Sequence, residues 1–342
     1  MKHRKYPSPS GGSPLLPRRG VLGLAAGLAA PALDRGGWIA RARAQERFPD
    51  RPIRLIVPWA AGSSSDVQMR SLADVAQGIL GQSVVVENRA GAAGTIHSQA
   101  LATARPDGYT LGQMHLGVIR RPFLLRNAGW NAVTDFTHII RLCGWVLGVA
   151  IKADRPWKTW RDYIEHARAN PGRVSYSTSG IATTNHLAME DLARRERIEL
   201  VHVPFRGSSE GVTAVLAGQV DSIADASTWA PLVETGQMRA LSVWTAERLA
   251  RLPDVPTLKD LGYDMVVSTA YGISGPKGID PAIVGILHGA FKAALFSQAN
   301  AVVRAQFDMP ADYLDSESFA SFIAQRAEYE QAMVQRLGLR LD

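Results

Sequence analysis

A serine in the G-x-S-x-G spacing of a nucleophile elbow occurs at Gly207-Ser208-Ser209-Glu210-Gly211 of this 342-residue chain. An exported hydrolase built on it would use Ser209 as nucleophile and would need an acid and then a histidine further along the chain. Only His288 follows, inside an apparent helix from Ile283 to Leu295, and Pro204-Phe205-Arg206 separate the preceding strand from the elbow. Metal chemistry has less to stand on. The eight histidines include no H-x-x-x-H pair and no H-E-x-x-H. The single cysteine, Cys143, allows neither an intramolecular disulfide nor a Cys-based metal site. G-x-G-x-x-G and G-x-x-x-x-G-K-[ST] are both absent. The Ser209 hydrolase stands as the alternative reading.

Three small-residue loops offer a different chemistry. They are Trp59-Ala60-Ala61-Gly62-Ser63-Ser64-Ser65-Asp66, Ala90-Gly91-Ala92-Ala93-Gly94-Thr95, and Ser177-Thr178-Ser179-Gly180-Ile181-Ala182-Thr183-Thr184. Each lies between a strand signal and a helix signal. There the unpaired N–H groups and the positive dipole end of the helix together receive an anion such as a carboxylate. Alone, each loop reads equally as a turn with an N-cap. Together they favour a polar, neutral-to-anionic ligand at the carboxyl edge of the sheets. Asp66 either accepts from a ligand amine or hydroxyl or stabilises the N-terminus of the helix after it. Arg206 offers a bidentate fork to a distal carboxylate, or pairs with Glu210. His115 lies at a strand end near the cleft, Trp59 can stack on a ligand ring or cover the strand end, and His186 reads as a packing residue at a helix start.

The elements that must hold these loops alternate. Strand signals at Leu55–Val57, Val84–Val86 and Tyr109–Leu111 frame helical stretches at 67–80 and 96–104. The rhythm returns with strands at Val146–Ile151, Val174–Ser177, Leu200–Val203, Val220–Ala224 and Arg239–Trp244, and helices at 160–169, 186–197 and 212–217. A strand at Tyr271–Ser274 and helices at 281–297 and 316–337 close the chain. Such alternation predicts α/β lobes with parallel sheets covered by helices.

Charge is segregated. The chain carries a formal +7, but eight of the 38 basic residues and one of the 31 acids lie in 1–44, leaving 30 of each in 45–342. A neutral body has no electrostatic footprint for nucleic acid. The leader itself has Arg18-Arg19, an apolar run from Gly20 to Leu33, and Ala42-Arg43-Ala44. This is the plan of an export signal, of twin-arginine type with a Sec signal as the alternative, cleaved near Ala44. The run is too short to span a bilayer, which needs about 20 residues.

The segment from Pro52 through Val57-Pro58-Trp59 to Asp66 resembles the opening of the Bug family, the substrate-binding receptors of tripartite tricarboxylate transporters. Further segments match in family order. They are Val85–Gly94, Pro106–Leu111, Asp135-Phe136-Thr137, Asn170–Ser177, His202–Gly207 and Leu252–Thr257. The first loop departs from the family's Pro-Pro-Gly-Gly, having Ala60-Ala61-Gly62-Ser63 instead. The resemblance implies a two-lobed type II periplasmic binding protein fold with a ligand cleft between the lobes. It assigns 45–147 plus 266–342 to the first lobe and 148–265 to the second. Carried over by motif, Trp59, Ala61, Gly62, Ser63, Ser64 and Asp66 grip a carboxylate from the first lobe, with His115 nearby. Thr178, Ser179, Thr183 and Thr184 line the cleft from the second, where Arg206 and Asp225 face it. The implied function is periplasmic capture of a small carboxylated ligand by a monomer. Its partners are membrane transporter subunits, or, on the same clamp, a sensor; no cofactor and no nucleic acid are implied.

Overall fold

Four of the five residues in Ile53–Val57 are buried, and this β-branched run forms strand β1. The computed structural model describes residues 48–267, 269–338 and 340–341. The export signal read in residues 1–44 lies outside the described residues. After β1 come α1 (Ser64–Leu80), β2 (Val84–Asn88), α2 (Ser98–Ala102), β3 (Thr110–His115), α3 (Leu116–Leu124) and β4 (Phe136–Cys143). A second run follows: β5 (Leu147–Lys152), α4 (Trp160–Ala169), β6 (Val174–Thr178), α5 (Thr184–Glu196), β7 (Leu200–Pro204), α6 (Ser208–Leu216), β8 (Ser222–Ala226), α7 (Ala230–Glu234) and β9 (Met238–Val243). The chain then adds β10 (Tyr271–Pro276), α8 (Pro281–Leu295), α9 (Gln298–Gln306), β11 (Ala311–Leu314) and α10 (Ser316–Leu337).

Two sheets result, ordered β11-β4-β10-β3-β1-β2 and β7-β6-β8-β5-β9. The sequence predicted parallel sheets; both are mixed. β1, β2 and β3 pair in parallel, and so do β6, β7 and β8. β10 runs against β3 and β4, and β5 runs against β8 and β9. The reason lies in the crossovers. β5 and β10 begin where the chain passes between sheets and so run outward, whereas β1, β3, β6 and β8 finish at that boundary.

Each sheet carries buried helices on both faces. In the first, Met69, Leu72, Leu287 and Phe291 pack on one face, and Val118, Ile119, Phe319 and Ile323 on the other. In the second, Tyr163, Met189 and Leu192 oppose Val212, Val215 and Trp229. Fully burying one such side chain stabilises the fold by about 1.5–3 kcal/mol. The two crossovers are tied together. Trp145 N–H donates to Thr269 Oγ1 at 2.7 Å, and that hydroxyl donates back to Trp145 O at 2.7 Å. A Cβ on Gly144 would meet Thr269 O at 2.2 Å, so only glycine permits this approach.

Helix α3 was not predicted, because Pro122 stands inside it. Proline removes the N–H that would bond Val118 O. Trp130 Nε1 donates to that carbonyl instead, at 3.0 Å. β4 and β11 also went unread, and the stretch predicted as one helix over 281–297 is followed by a second, α9.

Candidate functional site

The loops at the inner strand ends of both sheets meet around a cleft holding about 700 Å³ of empty space, part of it open to solvent. From the first sheet come Trp59, Ser63, Ser64, Ser65 and His115; from the second come Ser179, Thr183, Thr184 and Asp225.

The first wall is the start of α1. Ser63 is the N-cap, its Oγ accepting from Asp66 N at 3.3 Å. Ser65 and Gln113 exchange hydrogen bonds at 2.8 and 3.1 Å, which fixes this turn to β3. His115 caps α3, its Nδ1 accepting from Gly117 N at 3.1 Å, while Nε2 donates to Gly94 O at 3.0 Å. Both ring nitrogens are thereby engaged in the neutral tautomer, and burial pushes the imidazole down to a pKa of about 3. Its ring packs 5.0 Å from Trp59, which meets Trp145 edge-on at 5.8 Å. The Trp59 indole N–H is buried without a hydrogen-bond partner among the described residues.

The second wall is the loop between β6 and α5 with the end of β8. Thr183 is the N-cap of α5, and its hydroxyl donates to Gly180 O at 2.8 Å. Ser179 Oγ donates to Asp225 Oδ2 at 2.5 Å, and Ala226 N donates to Oδ1 at 2.7 Å. Burial raises the Asp225 carboxyl to a pKa of about 6.

The lobes are closed on one another. Ser64 N–H donates to Thr228 Oγ1 at 3.1 Å, and Ser209 Oγ donates to Ala61 O at 3.0 Å. Arg120 on α3 reaches Ala182 O at 3.1 Å and Thr184 Oγ1 at 3.2 Å. The same guanidinium pairs with Glu330 of α10 at 2.6 Å, both side chains almost completely buried.

Several expected site residues lie elsewhere. Asp66 is turned back into its own loop, accepting from Gly62 N at 2.9 Å, Arg70 Nε at 3.1 Å and Asn88 Nδ2 at 2.7 Å. Ala61 and Gly62 do not line the cleft. Thr178 Oγ1 is occupied by Gly180 and by His202 Nε2 at 2.7 Å. Arg206 is 73% exposed and paired with Glu210 at 2.9 Å, the bland reading of its fork. His186 accepts from Ala182 N at 3.1 Å and stacks on His202, away from the cleft. Ser209 bonds a carbonyl of the opposite lobe, and His288 contacts Tyr313 Oη at 3.0 Å. Sequence reasoning missed Arg120, Arg121 and Leu124 of α3, and Trp145 at the first crossover, all of which line the cleft. The adjacent Arg120-Arg121 pair was the available signal, and Pro122 concealed the helix that aims it.

Residues 68–339 match the model of the tripartite tricarboxylate transporter family receptor. The UPF0065 protein in the gbd 5'region of Cupriavidus necator is 44% identical over 315 residues, covering 92% of this chain and 96% of that relative. The solved periplasmic binding protein BugD superposes with a TM-score of 0.81 at 28% identity, covering 86% of this chain and 99% of BugD. An R. palustris protein solved with adipate superposes with a TM-score of 0.79 at 26% identity, covering 86% and 99%.

Proposed function

The chain belongs to the receptor family of tripartite tricarboxylate transporters, and from that premise we propose that it captures a small carboxylate-bearing solute in the periplasm and delivers it to membrane transporter subunits. One observation carries the reading. The N-terminus of α1, with Ser63, Ser64 and Ser65, and the opposed Ser179, Thr183 and Asp225 converge on a single cleft. The Ser63 and Ser64 hydroxyls are the donors for one carboxylate, with the α1 dipole behind them. Trp59, Trp145 and Leu116 supply the apolar surround that orients the remainder of the ligand. A fold relative solved with adipate supports a carboxylate in such a cleft.

In this mechanism the signal in 1–44 is removed on export and the monomer alternates between open and closed forms. Residues 45–147 with 266–342 form one jaw, and 148–265 the other. Ligand contacts both jaws only when they are closed, and that difference in affinity drives closure. The test is thermal unfolding of the purified protein against a panel of carboxylic acids. Binding to the folded state raises Tm with ligand concentration, by about 2.7 kcal/mol of added stability at 100 times Kd. Ser64→Trp is expected to abolish the shift while the ligand-free protein still unfolds cooperatively. A panel in which no acid moves Tm would overturn the reading.

A further inference from the structure

Among the described residues, two charged groups line the cleft without a counter-charge. Asp225, at the inner end of β8, is 4% exposed. Its carboxylate is held by neutral donors: the Ser179 hydroxyl and amide, the Ala226 amide and the Asn185 side chain. No Lys, Arg or His pairs with it among the described residues. Across the cleft, on α3, Arg121 is half-buried and has no acidic or hydrogen-bond partner among the described residues. Its neighbour Arg120 is ion-paired with Glu330, which Arg326 also contacts, and His115 is uncharged. Among the described residues the cleft thus presents a cation without a counter-charge on the first lobe and an anion without one on the second. Asp225 and Arg121 do not pair with each other.

A desolvated charge is costly until something of opposite polarity meets it. A plain monocarboxylate satisfies Arg121 and the serine hydroxyls but adds a second anion beside Asp225. The occupant that satisfies both walls has a negative end and a hydrogen-donating end. We propose that the ligand carries, besides its carboxylate, an ammonium or hydroxyl group that donates to Asp225, so that Asp225 is the residue that selects the solute. The proposal rests on the reading of the cleft as a carboxylate site. Because Asp225 and Arg121 stand on different lobes, such a ligand is fully satisfied only in the closed form, and its donor group therefore also strengthens closure.

The experiment is calorimetric titration of the purified protein with three matched sets: propionate, lactate and alanine; succinate, malate and aspartate; 3-phenylpropionate, 3-phenyllactate and phenylalanine. In at least one set the hydroxy or amino acid is expected to bind at least about ten-fold tighter than its parent, since a site built to receive a donor rejects the analogue lacking one. Whether the hydroxy or the amino member gains identifies the donor. Asp225→Ala is expected to erase that advantage, and Arg121→Ala to weaken all three members of the set alike. If parent acids bind as tightly as their derivatives, or the advantage survives Asp225→Ala, this proposal falls and the carboxylate reading stands. If none of the nine acids binds, the carboxylate reading itself falls and takes the proposal with it. The comparison within wild-type protein decides the matter even if Asp225→Ala does not fold.

Discussion

Burial among neutral dipoles raises the Asp225 carboxyl to a pKa of about 6, against an ordinary value of 3.8. The folded chain therefore binds a proton between about pH 4 and pH 6 that the unfolded chain does not. The stability this group contributes is present at low pH and is lost as pH rises through about 6. Asp225→Asn removes the uncompensated charge. It is expected to stabilise the ligand-free protein at pH 8 by roughly 2 kcal/mol, and by less at pH 5. Denaturant unfolding at the two pH values checks this, and an equal effect at both would refute it. A cleft residue whose removal stabilises the fold is the usual signature of a site strained for function. Asp66 is as deeply buried and also follows a small-residue loop, yet Arg70, Asn88 and Gly62 engage its oxygens. The sequence marks both acids as candidates. Which of them keeps a face toward the cleft depends on partners 22 or 46 positions away, Asn88 for one and Ser179 for the other.

Loops at the element ends meet across the cleft with little room. Gly207, ahead of α6, has extended backbone that any residue can adopt, but a Cβ there would lie 2.9 Å from Ala60 N and 3.1 Å from Ala60 Cβ of the other lobe. Gly207→Val places a wedge between the jaws without straining its own backbone. Ligand affinity is expected to fall at least about ten-fold, while the ligand-free Tm changes by only a few degrees, because the wedge acts on closure rather than on either core. Small-angle scattering with saturating ligand checks this: the variant is expected to stay extended where the wild type contracts, and equal contraction would show that the jaws never close this far. The strand–loop–helix units β1 to α1 and β6 to α5 were legible because apolar runs, small-residue loops and N-caps are local signals. Helix α3 was not, because its integrity depends on Trp130 reaching back to Val118 O.

At the scale of the whole molecule, buried histidines oppose stability in acid. Burial lowers His97 and His138 to about 4 and His115 to about 3. Below pH 6.5 the unfolded chain takes up protons that the folded one refuses, so each of these histidines removes up to about 1.4 kcal/mol per pH unit until its folded pKa is reached. The carboxyls of Asp225 and Asp308, both raised by burial, act in the opposite direction but are fewer than the lowered histidines. Calorimetric Tm is expected to fall steadily from pH 7 to pH 5; a flat profile would show that these histidines titrate freely when folded. The sequence by itself determined the α/β alternation, the small-residue loops at strand ends, the family resemblance and the neutral body. All of these follow from local periodicity, turn chemistry and composition. Only the tertiary structure decided that β5 and β10 run against their neighbours, that Glu210 claims Arg206, and that Arg121 and Asp225 stand on opposite walls without a counter-charge among the described residues. Whether a charge is matched depends on what the fold brings within a few ångströms of it, and spacing along the chain does not record that distance.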